Sequence, residues 1–282
     1  MSQPSEDNNV AVTRTDEGIT TITICRPHRR NAVNPATAQL LYSAFLAFEA
    51  DTTQKVAILT GSDGFFCAGA DLKDLTATAS FNNQTNTSND PNKGDNLQPV
   101  SGRNLGPMGP SRLQVSKPVI AAISGYAVAG GLELSLLADL RIVEEDAIFG
   151  VFCRRWGVPL IDGGTVRLPA IIGLGRAMDM ILTGRAVSAQ EALSMGLATR
   201  VVPKGSALLE ATNMAKQLLR FPQMCMNLDR DSAYYAVYNA KGFEDALRNE
   251  FERGRKVIGV ESLKGAARFT SGLGRGGRMD KL

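Results

Sequence analysis

The chain has 282 residues, of which 44% are hydrophobic and 21% charged, and these near-average values exclude disorder over most of its length. Its 31 Lys and Arg against 28 Asp and Glu give a net charge of +3, a balance too even to indicate a nucleic-acid or membrane partner. Four scattered cysteines and a single histidine, His28, exclude a disulfide framework and a zinc site built on several histidines.

The first half of the chain alternates strand and helix patterns. Residues 1–9 are polar and acidic, without the features of a signal or transit peptide, and are expected to be flexible. Residues 10–25 alternate apolar and polar side chains around a Glu-Gly turn, which predicts a hairpin. A helical apolar period follows Asn34-Pro35, and the continuous apolar run 56–60 predicts a buried strand.

The same order returns further along the chain. The apolar run 119–123 leads to Gly130-Gly131 and a predicted helix over 132–138, followed by two short strands at 140–143 and 147–149. Strands that alternate with helices indicate an α/β fold.

Two segments break this pattern. Residues 76–113 are rich in Asn, Pro and Gly, which predicts either a lid or a surface insertion without function. From about residue 205 the apolar spacing becomes helical, so 205–268 is expected to be a helical region whose apolar faces need a partner. Residues 269–282 are glycine-rich and basic and are expected to form a flexible tail.

Two turns of small residues are candidates for a binding site. One contains Ala70 and the other contains Gly130, and each is expected to open a helix whose first N–H groups lack partners. If the turns face each other, their two N–H groups form an oxyanion hole that stabilises an enolate. Sequence alone does not establish that they face each other.

Glu133 stands among leucines three residues after Gly130. Burial of a carboxylate in such surroundings is costly and raises its pKa, which is typical of a residue that transfers protons. The alternative is an exposed glutamate on the outer face of the helix.

Taken together, several stretches between about residues 10 and 265 match a single family. They are residues 26–34, 66–72, 117–125, 129–134, 182–185 with 191–192, and 196–202. On these stretches the chain resembles the crotonase, or enoyl-CoA hydratase/isomerase, superfamily. The resemblance implies a spiral core of ββα repeats over 10–204, a C-terminal helical region that mediates trimerisation, and trimers that often pair into hexamers.

The resemblance also implies an acyl-CoA thioester substrate and no metal or redox cofactor. The carbonyl oxygen of the thioester would bind between the N–H groups of Ala70 and Gly130. The residues expected to line the path of substrate and CoA are Arg30, Ala32, Ala68, Asp71, Leu72 and Gly131.

The chain departs from the hydratase pattern at its second catalytic glutamate. Cys153 occupies that position, and a largely neutral thiol is a poor replacement for a carboxylate, which favours a packed and inert residue. Asp162 lies nearby, at a place where dienoyl-CoA isomerases and a dehalogenase branch of the family carry an aspartate. Asp162 is therefore either a second catalytic carboxylate or a cap of the following helix.

Three functions fit these residues. The favoured one is an enoyl-CoA hydratase-like lyase in which Glu133 is the principal acid and base, helped by Asp162. The second is an enoyl- or dienoyl-CoA isomerase or a C–C hydrolase, because one carboxylate can carry a proton between two carbons. The third is a non-catalytic CoA- or RNA-binding member, although the charge gives nucleic acid little support. The expected compartment is the cytoplasm, with peroxisome and mitochondrion left open.

Overall fold

The computed structural model describes residues 9–72 and 97–272. Its strands are β1 (Val10–Arg14), β2 (Ile19–Ile24), β3 (Val56–Gly61), β4 (Val119–Ile123), β5 (Tyr126–Val128), β6 (Leu140–Glu144), β7 (Ile148–Gly150), β8 (Val187–Ser188) and β9 (Arg200–Val202). Its α-helices are α1 (Pro35–Ala50), α2 (Gly130–Ser135), α3 (Gly164–Ile172), α4 (Leu174–Thr183), α5 (Ala189–Ser194), α6 (Ala207–Leu219), α7 (Gln223–Tyr238), α8 (Phe243–Val257) and α9 (Leu263–Thr270). Within these residues no helix is long and apolar enough to cross a membrane.

The strands form two sheets. One has the order β1-β2-β3-β4-β6-β9, and the other has the order β5-β7-β8. Among the described strands of the larger sheet, only β1 and β2 pair antiparallel, which confirms the predicted hairpin. Every residue of β4 is buried, as expected for a parallel strand that is covered on both faces.

Helix α1 shows why the predicted helix begins at Asn34-Pro35. The side-chain oxygen of Asn34 accepts hydrogen bonds from the N–H of Thr37 at 2.9 Å and from its hydroxyl at 2.6 Å. Asn34 therefore caps the helix, and Pro35 takes the first position, where its missing N–H costs nothing. The helix buries Leu41, Phe45 and Phe48 in the core.

The second predicted helix is displaced from its expected bounds. Helix α2 begins at Gly130, two residues before the predicted start, and ends at Ser135 rather than near residue 138. The chain turns at residues 136–138 because it must enter β6 at Leu140. The practical consequence is that Gly130 is itself the first helical residue.

Contacts divide the chain into two compact units, Met1–Ala215 and Lys216–Leu282. The first holds both sheets, and the second holds α7, α8 and α9. In the second unit, the carboxylate of Glu261 accepts from the N–H of Met224 at 3.2 Å and of Cys225 at 2.8 Å, at the start of α7. The predicted boundary near residue 204 stays a prediction, since α6 crosses the division between the units.

Parts of three predicted segments lie outside the described residues: 1–8, 76–96 and 273–282. The described end of the predicted insertion is packed, because Met108, Ser111 and Leu113 are buried. Helix α9 continues to Thr270, so the first residues of the predicted tail are helical.

Candidate active site

The two turns of small residues lie side by side. Cys67 forms a parallel bridge with Ala127. The N–H of Cys67 donates to the carbonyl of Tyr126 at 2.8 Å, and the N–H of Val128 donates to the carbonyl of Cys67 at 3.2 Å. Gly69 has a φ of +100°, and a Cβ added there would lie 3.1 Å from the backbone N of Gly130. The juxtaposition that the sequence left open is therefore present.

The amides of Ala70 and Gly130 are the N–H groups that these turns bring together. Across residues 9–72 and 97–272, neither of them donates a hydrogen bond to a protein acceptor. Gly130 is the first residue of α2, where an N–H has no partner within the helix. Two such donors at adjoining turns form a geometry that can stabilise negative charge on one oxygen.

The backbone conformation of Ala129 sets the turn that leads into Gly130. Its φ of 54° and ψ of −125° lie outside the regions that an alanine normally adopts. Such a conformation costs on the order of 1–3 kcal/mol and clusters at functional sites. The N–H of Ala129 donates to the carbonyl of Gly150 at 2.9 Å, which helps to hold this strained residue in place.

Glu133 is buried on α2, with 2% of its surface exposed, so the alternative of an exposed glutamate is wrong. Its Oε1 accepts from the N–H of Asp162 at 2.9 Å and of Gly164 at 2.8 Å. Burial, followed by the negative charge of Asp162, raises the pKa of Glu133 to about 7, against the lowering effect of these bonds and of Arg167. A carboxyl group with this pKa exchanges protons readily at neutral pH.

Asp162 is also buried, with 4% of its surface exposed. Its Oδ1 accepts from the N–H of Met108 at 2.9 Å and from the hydroxyl of Ser111. Burial raises the pKa of Asp162, although these two hydrogen bonds and the charges of Arg112 and Arg167 oppose the rise. Asp162 does not cap α3, because the N-cap residue is Gly163 and no side chain caps that helix.

The hydrogen bonds decide which carboxyl oxygen can carry a proton. A backbone N–H only donates, so Oε1 of Glu133 and Oδ1 of Asp162 must both be acceptors. A proton on either group therefore resides on Oε2 of Glu133 or on Oδ2 of Asp162. In the described part of the chain neither of these oxygens receives a hydrogen bond from the protein.

Cys153 lies in a short 3-10 turn, Phe152–Trp156, and is 9% exposed. Burial, followed by the negative charge of Glu133, raises the pKa of its thiol. The thiol is therefore neutral at physiological pH, which agrees with the expectation of a packed and inert residue.

The remaining sequence-predicted residues fall into two groups. Arg30 and Leu72 are exposed and Ala68 is half-buried, with the N–H of Ala68 donating to the carbonyl of Arg30 at 3.1 Å. Ala32, Asp71 and Gly131, in contrast, are buried.

Asp71 and Gly131 shape the two turns. The carboxylate of Asp71 lies 3.1 Å from the guanidinium of Arg26, and both side chains are less than 10% exposed. A Cβ at Gly131 would collide with the carbonyl of Cys67, so only glycine allows α2 to approach the neighbouring turn so closely. Their contacts support the turns from within the protein.

Sequence reasoning missed the residues that hold the site together. Asn31 is fully buried, accepts from the N–H of Arg26 at 2.8 Å, and donates to Ser62 and Phe65. Ser111 and Arg167 support Asp162 from outside the matched motifs, and no residue spacing marks them. For Arg26 and Asn31 the usable signal is that both polar residues lie in the matched stretch 26–34, directly after a predicted strand.

Comparisons with known proteins identify the family. Residues 14–235 match the family model described as Enoyl-CoA hydratase/isomerase. The chain belongs to the enoyl-CoA hydratase/isomerase family. The sequence-based identification as a crotonase-type, hydratase-like enzyme is thereby confirmed at the level of the family.

Two relatives illustrate the likeness in sequence. The enoyl-CoA hydratase EchA19 of Mycobacterium tuberculosis is 37% identical over 194 residues, which are 69% of this chain and 68% of that protein. A probable mitochondrial enoyl-CoA hydratase of Dictyostelium discoideum is 32% identical over 246 residues, 86% of this chain and 81% of that protein.

A solved structure shows that the likeness includes the fold. The crystal structure of an enoyl-CoA hydratase from Mycobacterium tuberculosis superposes with a TM-score of 0.80 at 31% identity, covering 93% of this chain and 96% of that one. The predicted α/β crotonase fold with a C-terminal helical region is confirmed. Among the residues that the structure describes, no group of three His, Cys, Asp or Glu side chains is arranged to hold a metal ion.

Proposed function

We propose that the chain is an enoyl-CoA hydratase-type lyase that adds water across the 2,3-double bond of a 2-enoyl-CoA. The observation that carries this proposal is the pair of adjoining N–H groups, of Ala70 and Gly130, with the buried carboxyl group of Glu133 on the helix that Gly130 begins. Family membership supports the same reaction class.

The thioester carbonyl oxygen binds between the N–H groups of Ala70 and Gly130. As the oxygen of water adds to C3, electrons move to this carbonyl oxygen and an enolate forms. Removal of one such donor typically costs about 3–4 kcal/mol of transition-state stabilisation. The strained backbone at Ala129 keeps the second donor in place before substrate arrives.

Glu133 and Asp162 move the protons. Ionised Glu133 takes a proton from the attacking water on Oε2, the oxygen that the backbone leaves available. The enolate then collapses when C2 receives a proton from Glu133, with Asp162 assisting as the second carboxyl group. Cys153 takes no part, because its thiol stays neutral and is a poor acid or base here.

Isomerisation is the second candidate reaction. The observation that favours it is the replacement of the expected second glutamate by Cys153, together with the buried Glu133 and Asp162. One carboxyl group suffices to move a proton from one carbon to another, whereas hydration also needs water to be oriented and deprotonated.

The proposal is tested by measuring the turnover of crotonyl-CoA through the loss of absorbance of its conjugated double bond. We expect turnover by the parent, a decrease of about 10²–10⁴-fold in Glu133→Gln, and a smaller decrease in Asp162→Asn. Saturable binding of crotonyl-CoA without loss of the double bond would overturn hydration. β,γ-Enoyl and dienoyl thioesters would then test isomerisation with the same variants.

The remaining assignments are proposals of the same kind. The acyl-CoA passes Arg30, Ala32, Ala68 and Leu72, and no cofactor is required other than the CoA of the thioester. The protein assembles as a homotrimer or as a dimer of trimers. It acts in the cytoplasm, although the relative from Dictyostelium is named as mitochondrial.

A further inference from the structure

The segment 106–113 packs directly behind Asp162. Gly106 and Gly109 exchange two backbone hydrogen bonds, of 2.9 and 2.8 Å, which close a tight turn. A Cβ at Gly109 would lie 2.5 Å from the carbonyl oxygen of Ala38 on α1. Met108 and Ser111 are each 1% exposed, so this segment is fixed in the core.

Ser111 is held from two sides. Its hydroxyl donates to Oδ1 of Asp162, and its carbonyl accepts from Arg167 of α3 at 2.8 Å. A Cβ at Gly106 would collide with the hydroxyl of Ser111 and lie 3.1 Å from Oδ1 of Asp162. The absence of a side chain at residue 106 therefore gives the hydroxyl room to reach the carboxylate.

We propose that Ser111 is a positioning residue that holds Asp162 in its ionised form and assigns its Oδ2 to proton transfer. This role rests on the proposed function of Asp162 as the second carboxyl group. Both donors on Oδ1, the Ser111 hydroxyl and the Met108 N–H, favour the carboxylate over the acid. The N–H of Asp162 donates to Oε1 of Glu133, so a residue that fixes the position of Asp162 also helps to fix the position of Glu133.

The charged groups around Asp162 remain the same when the hydroxyl is removed. They are Glu133 on α2, Arg112 on the 3-10 turn Pro110–Arg112, and Arg167 on α3. A change in the titration of Asp162 in Ser111→Ala therefore reports the lost hydrogen bond. Burial then acts with less opposition, so Asp162 holds its proton to a higher pH.

The test is a ¹³C NMR titration of protein labelled at aspartate carboxyl carbons, with the Asp162 resonance assigned by its loss in Asp162→Asn. We expect Ser111→Ala to raise the midpoint of Asp162 by about one pH unit, as removal of a hydrogen bond to a charged group does. Ser111→Thr, which keeps the hydroxyl, should restore most of the parent value. Ser135→Ala is the matched control, because it deletes another buried hydroxyl, bonded to Leu132 at 2.7 Å on the helix of Glu133.

An unchanged midpoint in Ser111→Ala, or an equal shift in Ser135→Ala, would overturn the proposal. If Ser111→Ala does not fold, Gly106→Ala displaces the same hydroxyl and should raise the midpoint in the same direction. The titration needs no substrate, so a shift in a protein without crotonyl-CoA turnover would refute the proposed hydration but retain the effect of Ser111 on the ionisation of Asp162.

Discussion

Glu133 is a carboxyl group whose ionisation opposes folding. Its pKa is about 7 in the folded protein against an ordinary value of 4.5, because burial and Asp162 both disfavour the charged form. The folded state therefore binds more protons than the unfolded state between these two values. The free energy of unfolding contributed by Glu133 accordingly falls as the pH rises through this interval.

Glu133→Gln should be relatively more stable at alkaline pH. Glutamine keeps an oxygen that can accept from Asp162 and Gly164, but it carries no charge at any pH. Compared with the parent, the free energy of unfolding of the variant should improve by about 2–3 kcal/mol between pH 5 and pH 8. Urea unfolding at the two pH values measures this, and a difference that is the same at both would show that Glu133 titrates normally.

Gly164→Ala should displace Glu133 without changing any ionisable group. A Cβ at Gly164 would lie 2.9 Å from both Cγ and Oε1 of Glu133, closer than real Cβ contacts allow. We expect a loss of about 1–3 kcal/mol in stability and of about 100-fold in kcat, because the carboxyl group leaves its productive position.

Gly175→Ala is the control for this substitution. Gly175 is exposed near the start of α4, and a Cβ there would meet nothing within 4 Å. Alanine should stabilise this position by up to about 1 kcal/mol and leave kcat unchanged. Equal effects of the two substitutions on turnover would contradict a specific contact with Glu133.

At the scale of elements, one buried ion pair joins the loop before α1 to the Ala70 turn. Arg26 and Asp71 are 8% and 6% exposed, so Asp71→Asn leaves a buried guanidinium without this carboxylate. The expected loss is about 3 kcal/mol in the free energy of unfolding. The exposed pair of Arg248 and Glu244, at 68% and 87%, is the control, and Glu244→Gln should cost less than about 0.5 kcal/mol.

Substrate kinetics separate this role from direct binding by Asp71. If Asp71 only supports the turn, Asp71→Asn lowers the urea midpoint and leaves the KM for crotonyl-CoA unchanged at low temperature. A raised KM with an unchanged urea midpoint would instead place Asp71 in contact with the substrate.

Elements with a strong local signal were predictable from the sequence. The hairpin of β1 and β2 follows from the apolar and polar residues that alternate around the Glu-Gly turn, and the start of α1 follows from Asn34-Pro35. The bounds of α2 were not predictable, because its apolar residues continue past the helix into a buried turn. The contacts of Asp162 with Met108 and Ser111 were beyond reach as well, since they join residues about fifty positions apart and depend on tertiary packing.

At the scale of the whole molecule, the second unit presents apolar side chains to solvent. On α8, Phe243, Leu247 and Phe251 are 81%, 46% and 67% exposed. Their spacing of four residues places them along one side of the helix. A contiguous apolar stripe of this kind is typical of a surface that binds another protein chain.

Self-association should therefore depend on this stripe. We expect the parent to have a mass in solution of three times 30.1 kDa, or six times if trimers pair, by light scattering after size exclusion. The double variant Leu247→Glu/Phe251→Glu should shift to the mass of one chain, because burying two carboxylates in an apolar interface is costly. Lys256→Glu is the control, since nine residues place it on the side of α8 opposite Leu247, where it is also exposed. A parent that is monomeric at micromolar concentration, or a double variant that keeps the mass of the parent, would exclude this stripe as the contact between subunits.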